Sequence, residues 1–303
     1  MIDYHLHLWP HGERHRDEVV DHVAAYCAQA ARAGVVEVAI TEHLFRFRQA
    51  DAVLGGWWRD EPDDALRRSM AGYWAEHALA DLDVYVQGVL DCQAAGLPVV
   101  LGMEVDYYPG RMAEVAALLG SYPFDVLLGS VHWLGTWRFD DLEDPVSNAR
   151  WRTHSIESAW TAYTRALDEL AATGTCDVLA HLDLVKVAGH RPPAPEEWWD
   201  RLTESAASSG MAVEVSSAGW RKPAGEAYPA PALLARLVER GVPLTTASDA
   251  HGGAQVADRF DELAICLAGA GVQRLQAYRR RQPKVLALDG ARSRVQAPTE
   301  PQP

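Results

Sequence analysis

Cysteine is scarce in this chain, and its four residues stand far apart. Cys27, Cys92, Cys176 and Cys266 form no CxxC pair. A disulfide framework is therefore not indicated, and the thiols read as buried apolar side chains in a reducing compartment. Positive charge is also in short supply. There are 28 Lys and Arg against 42 Asp and Glu, a net charge of -14 with His neutral. That balance argues against binding nucleic acid or an anionic membrane through bulk electrostatics. A small phosphorylated substrate is still compatible, because bound metal ions would reverse the sign locally. No apolar run approaches the ~20 residues of a membrane span. The charged, His-rich start lacks the basic and apolar regions of a signal peptide. A cytoplasmic protein is expected, of open oligomeric state. Its 48% hydrophobic and 23% charged residues suit a globular chain with a substantial core.

Short aliphatic runs alternate with longer helical patterns. Strands are expected at Ile2–His7, Val35–Ile40, Pro98–Val105, Phe124–Val131, Cys176–Ala180, Met211–Val215 and Pro243–Ala247. Helices are expected at Glu18–Arg32, Ser69–Ala94, Gly110–Leu119, Ile156–Ala172, Pro195–Ser208, Pro231–Arg240 and Arg259–Ala268. Several helices stop at a glycine just before the next strand, among them Gly34, Gly96 and Gly174. Repeated strand-then-helix units imply a parallel sheet with helices outside, and at this length an α/β barrel. Two segments depart from the rhythm. Residues 46–68 form a long insertion with Trp57 and Trp58, read either as a cover for the site or as a surface excursion. From about Asp289 the composition turns to Gly, Ser, Gln and Pro, as in a disordered tail.

The strand ends carry the polar groups. His5 and His7 alternate on the first strand and so project from one face. Later strands end in Thr41-Glu42-His43, Glu104-Val105-Asp106, Ser130-Val131-His132, Ala180-His181-Leu182-Asp183, Ser216-Ser217 and Ser248-Asp249-Ala250-His251. Taken singly, His132 and His181 fit core histidines, Asp249 a helix cap and Glu104 a partner for arginine. Together they deliver imidazoles and carboxylates to the C-terminal face of a barrel, where such folds build active sites. That donor set suits divalent Zn, Fe or Mn without thiolate.

The ordered motifs Asp-Tyr-His-Leu-His, Thr-Glu-His, Gly-Met-Glu-Val-Asp-Tyr, Gly-Ser-Val-His-Trp, Ala-His-Leu-Asp-Leu-Val-Lys and Ser-Asp-Ala-His resemble those of the polymerase-and-histidinol-phosphatase (PHP) superfamily. Residues 216–229 and Tyr278-Arg279-Arg280-Arg281-Gln282-Pro283 are most similar to its histidinol-phosphatase branch. The resemblance covers residues 1–288 and leaves 289–303 as the tail. It implies a distorted (β/α)7 TIM-like barrel with two to three divalent metal ions (Zn, Fe or Mn) at the C-terminal strand ends. It implies His5, His7, Glu104 and Asp249 at one metal, and Glu104 bridging to a second held by His132 and His181. A third would take His43, His251 and His11, with His15 and Glu13 as alternative donors because the loop after His7 is short.

The activity implied is that of a phosphoric monoester hydrolase cleaving L-histidinol phosphate to L-histidinol and phosphate in histidine biosynthesis. The alternative is another small phosphomonoester, since the 46–68 insertion and Trp220 alter the pocket. Water bridging two cations is the expected nucleophile. Arg221 and Lys222 are the expected phosphate contacts, guanidinium being suited to paired hydrogen bonds. Asp183, two residues after His181, is the expected catalytic carboxyl, either orienting His181 or protonating the leaving alkoxide. Asp106 stands in the same relation to Glu104. Trp133, Trp137 and Phe139 are candidate pocket walls, and Arg279–Arg281 reads as a solvated strand or turn. His22, His77, His154 and His190 receive no role.

Overall fold

The computed structural model describes residues 1–10 and 19–288. His11, His15, Glu13 and the expected tail at 289–303 lie outside the described residues. Seven strands run in sheet order matching chain order: β1 (Asp3–Leu6), β2 (Val38–Ile40), β3 (Val99–Asp106), β4 (Val126–Ser130), β5 (Val178–Leu179), β6 (Ala212–Ser216) and β7 (Leu244–Ala247). Every neighbouring pair is parallel. The strands are buried along their whole length, as expected for a sheet covered by helices on one side and filled by side chains on the other. β2 and β3 approach closely at Gly102, where a Cβ would lie 2.6 Å from the Thr41 methyl.

The barrel closes between β1 and β7 through specific groups more than through a long ladder. The His7 amide donates to the Ala250 carbonyl at 2.8 Å. The Asp3 carboxylate accepts from the Ser248 amide and hydroxyl, both at 2.7 Å, and from the Ala257 amide at 3.0 Å. A buried carboxylate so placed satisfies donors that a regular ladder would otherwise pair. The seam brings His7 and the Ser248–His251 segment side by side.

Helices Val19–Arg32, Met112–Leu119, Ile156–Ala172, Glu196–Ser209, Pro231–Glu239 and Phe260–Gly269 fall where periodicity places them. The helix at Ile156–Ala172 starts on Ser155, whose hydroxyl accepts from the Ser158 amide at 3.0 Å. Its Trp160, Tyr163, Leu167 and Leu170 face inward at helical spacing. The single helix expected over Ser69–Ala94 is instead two, Asp64–His77 and Leu82–Ala94. The break has a local cause. The Ala80 backbone pairs with Arg46 and Arg48, and the Asp81 carboxylate caps the new helix at the Asp83 amide. Helices Arg48–Leu54 and Pro145–Thr153 were not anticipated.

A terminal hairpin, β8 (Arg274–Arg279) and β9 (Gln282–Ala287), also escaped the periodic reading. Arg280 and Arg281 occupy the left-handed region at its turn. The basic run is indeed a turn, but it is engaged. Arg281 Nε pairs with Asp177 at 3.0 Å, Arg279 with Glu37 at 2.5 Å, and the Arg280 amide donates to Asp125 at 2.9 Å. Glu37, Asp125 and Asp177 immediately precede β2, β4 and β5. The hairpin therefore braces the N-terminal end of the barrel, opposite the polar strand ends. Among the described residues no cysteine is in a disulfide, and no helix is long and apolar enough to cross a membrane.

Candidate metal centre

Glu104 is the hub of the C-terminal face. It sits on β3, completely buried, with each carboxylate oxygen turned to a different set of imidazoles. Oε2 lies 2.7 Å from His43 Nδ1, 3.2 Å from His5 Nε2 and 3.6 Å from His7 Nε2. Oε1 lies 3.0 Å from His181 Nε2 and 3.3 Å from His132 Nε2. Asp249 Oδ1 completes the first side, 3.4 Å from His7 Nε2, 3.9 Å from His5 Nε2 and 3.6 Å from His251 Nδ1. The rings of His43 and His251 flank that of His7, with centroids at 4.2 and 4.1 Å.

These atoms fit divalent cations. Ligand distances of about 2.0–2.2 Å put neighbouring donors of a tetrahedral or octahedral ion roughly 3.0–3.4 Å apart, close to the spacings seen. The groups His5–His7–Asp249, His5–Glu104–His181 and His7–His43–His251 each bring three donor atoms within 4.8 Å of one another. His5 Nε2, His7 Nε2 and Glu104 Oε2 are buried without a hydrogen-bond partner. Buried polar atoms are rarely left so unless an ion or ordered water completes them.

Two of these rings are oriented from behind. His5 Nδ1 lies 2.7 Å from Glu214 Oε2, and His132 Nδ1 lies 2.7 Å from Asp106 Oδ1. Each partner turns Nε2 toward Glu104 and strengthens it as a donor. Glu42 stands 3.7 Å behind His7 Nδ1, pairs with Arg46 at 3.0 Å and accepts from the Leu8 amide at 2.6 Å. Asp106 thus serves His132, just past the end of the neighbouring strand β4. The sequence reading missed Glu214 and Glu42. A glutamate in the middle of the apolar run Ala-Val-Glu-Val-Ser was the available signal, since a buried charge requires a partner.

Charge is finely balanced here. Burial opposes ionisation of Glu104, but His5, His43, His132 and the hydrogen bond with His181 hold it well below the usual carboxylate range. Burial likewise opposes charge on His132, yet Asp106 and then Glu104 raise it to about 10. A cation bound here would compete with protons for the same nitrogens.

A cavity of about 820 Å³ opens over this cluster, lined on one side by His43, His132, His181, Asp249 and His251. Its other walls include Tyr73 and His77 from the Asp64–His77 helix, the Asp140–Asp144 loop, and Lys222. His77, given no role from sequence, thus faces the site. Trp133 lines this cavity, Trp137 lines a smaller one of about 230 Å³ beside it, and Phe139 is wholly buried. The 46–68 segment packs behind the wall. Trp57 meets Tyr108 edge-on and lies tilted against Trp133, with both centroid distances 5.8 Å, and Glu61 accepts from the Thr136 hydroxyl at 2.8 Å.

Two of the expected site residues sit away from the cavity. Asp183 does not meet the His181 ring. His181 has φ 26, so the chain turns there and residues 181 and 183 do not share a side as in an extended strand. Asp183 is completely buried, 2.8 Å from Lys186 Nζ, and accepts from the Ala230 amide at 2.9 Å. Arg221 does not line the cavity. Its Nη2 donates to the carbonyls of Ser248 at 2.6 Å and Asp249 at 3.1 Å, bracing the loop after β7. Lys222 is the cation of the pair that reaches the cavity. Carboxyls also line it, among them Glu76, Asp140, Asp141, Glu143 and Asp144, and of these Asp140 is pushed up by burial despite His132 and Lys222.

The PHP domain model matches residues 5–218. A probable histidinol-phosphatase of Deinococcus radiodurans is 34% identical over 235 residues, 78% of this chain and 82% of its own length. One from Schizosaccharomyces pombe is 26% identical over 168 residues, 52% of this chain and 55% of its own. Two solved structures share the fold. Histidinol phosphate phosphatase from Lactococcus lactis, complexed with zinc, L-histidinol and phosphate, superimposes with a TM-score of 0.66 at 18% identity, covering 93% of this chain and 98% of its own. A putative histidinol phosphatase from Listeria monocytogenes gives 0.68 at 21% identity, covering 86% and 99%.

Proposed function

This chain belongs to the PHP domain family, and from that premise we propose that it is a metal-dependent phosphatase cleaving L-histidinol phosphate to L-histidinol and phosphate. The observation that carries the reading is Glu104, whose two oxygens each address a separate imidazole group. A carboxylate so shared is what a two-metal hydrolase requires. His5, His7, Glu104 and Asp249 would hold one ion, and Glu104, His132 and His181 a second. His43 and His251 would contribute to a third, with His11 as its remaining donor. Zinc, iron and manganese all suit these donors. Bound there, such ions supply Lewis-acid charge for a phosphate dianion and acidify water at neutral pH.

The chain's own groups do the rest. Lys222 adds positive charge to the cavity wall, where it would counter the phosphate oxygens. Arg221 fixes the carbonyls of the Asp249 loop and with them the ligand geometry. Of the carboxyls raised by burial, Asp140 lines the cavity and Asp183 does not. The proton for the leaving alkoxide is therefore assigned to Asp140. Phosphate release from L-histidinol phosphate by metal-replete enzyme, beside a panel of other phosphomonoesters, tests the proposal. L-Histidinol phosphate should give the highest kcat/KM. A different phosphomonoester hydrolysed more than tenfold better would shift the substrate assignment, and no phosphate release from any would end the reading.

A further inference from the structure

Lys186 is a lysine with no exposure at all, and the mechanism above does not use it. Its Nζ lies 2.8 Å from Asp183 Oδ2, 2.9 Å from Glu226 Oε1 and 2.9 Å from the Ala227 carbonyl, and it sits over the Tyr228 ring at 5.2 Å. An ammonium loses its hydration when buried, so three oxygen partners are what keep it there. Those partners come from two different loops.

Asp183 belongs to the loop after β5, two residues beyond the ligand His181. Glu226 and Ala227 belong to the loop after β6, which carries Arg221 and Lys222. That second loop is compact and transmits position. The Ser216 amide donates to the Tyr228 carbonyl at 2.6 Å, with the reverse bond at 3.0 Å, closing its ends. The Gly225 amide donates to the carbonyls of Gly219 at 3.1 Å and Lys222 at 3.0 Å. Gly219 presses on its own loop so closely that a Cβ there would lie 2.1 Å from the Glu226 carbonyl oxygen. From this loop Arg221 reaches Ser248 and Asp249, and Lys222 reaches the cavity.

We infer that Lys186 is a positioning residue that ties the His181 loop to the Arg221–Lys222 loop and so sets the wall of the cavity that receives the phosphoryl group. The inference rests on the phosphatase reading for the identity of that group. Its test uses the metal-loaded full-length enzyme with K186M and K186R. Inorganic phosphate is titrated by calorimetry, kcat and KM are measured on L-histidinol phosphate, and metals per chain are counted. K186M should weaken phosphate binding and raise KM roughly tenfold or more, a larger change than in kcat, with metal content unchanged. K186R, which keeps the charge, should recover part of the loss. Should K186M fail to fold because Asp183 is left buried and unpaired, D183N/K186M removes both charges and should show the same shift. Phosphate affinity and KM within twofold of wild type in the folded variant, whatever its melting temperature, would overturn the inference. So would a wild-type protein with no phosphate affinity. A wild type that binds phosphate yet leaves L-histidinol phosphate intact would defeat the substrate assignment alone, and the phosphate titration would still decide the role of Lys186.

Discussion

Replacing Glu104 by glutamine keeps the side-chain shape and removes one negative charge from the point where five imidazoles meet. The amide retains one oxygen, so its NH2 must face either the His5–His7–His43 side or the His132–His181 side. One of the two proposed cation positions would then lose its anionic ligand whichever way the amide turns. At an effective dielectric of about 20, a unit charge about 4 Å away is worth about 4 kcal/mol, and a divalent ion feels more. That corresponds to a loss of roughly a thousandfold or more in affinity at that position. The assay is direct: metals per chain after gel filtration at neutral pH, and kcat for phosphate release. E104Q should carry at least one ion fewer than wild type, and its kcat should fall by roughly a thousandfold or more. Far-UV circular dichroism should stay that of wild type, since the backbone of β3 is paired on both sides. An E104Q variant with wild-type metal content and wild-type kcat would refute the bridging role.

Other consequences can be checked with single variants. E214Q removes the carboxylate behind His5; chelator competition should show about 10–100-fold weaker metal binding, and unchanged affinity would strip Glu214 of its orienting role. D140N should lower kcat on L-histidinol phosphate by about a hundredfold or more. The same variant should lose much less on p-nitrophenyl phosphate, whose leaving group needs no proton; equal losses would contradict the acid assignment. Asp144 caps the Pro145–Thr153 helix, accepts from Ser69 at 3.0 Å and pairs with Arg138 at 3.1 Å. Burial raises its pKa, but Ser69, Ser147 and Arg138 outweigh that and leave it depressed. A carboxyl depressed in the folded state stabilises above its unfolded pKa of about 3.9 and loses that contribution as pH falls. D144N should thus cost on the order of 1 kcal/mol at neutral pH and progressively less below pH ~4, a trend that melting curves at pH 7 and pH 3 would reveal or deny.

Much of the site was legible because strand geometry is simple. His5 and His7 alternate on β1, and Glu104 and Asp106 alternate on β3, so both pairs point inward as period two demands. The same rule failed at Asp183, where the positive φ of His181 ends the extended geometry it depends on. Glu214 was hidden because an apolar strand was read as apolar throughout. The different placements of Arg221 and Lys222 were not legible, because adjacency says nothing about which of the two faces the cavity. The hairpin Arg274–Ala287 was obscured by its arginines and Pro283, which suit an exposed edge and carry no strong alternation. The long helix expected at Ser69–Ala94 missed its break because Asp81 acts as a cap, a role visible only once the Arg46–Arg48 backbone claims Ala80.

The centre of the account is that distant stretches of chain converge on shared cations. Anomalous diffraction from metal-loaded crystals measures this directly. One peak should lie about 2.0–2.2 Å from donor atoms of His5, His7, Glu104 and Asp249, and another at the same distance from Glu104, His132 and His181. Metal peaks found elsewhere, or none at Glu104 in protein that hydrolyses phosphomonoesters, would contradict it.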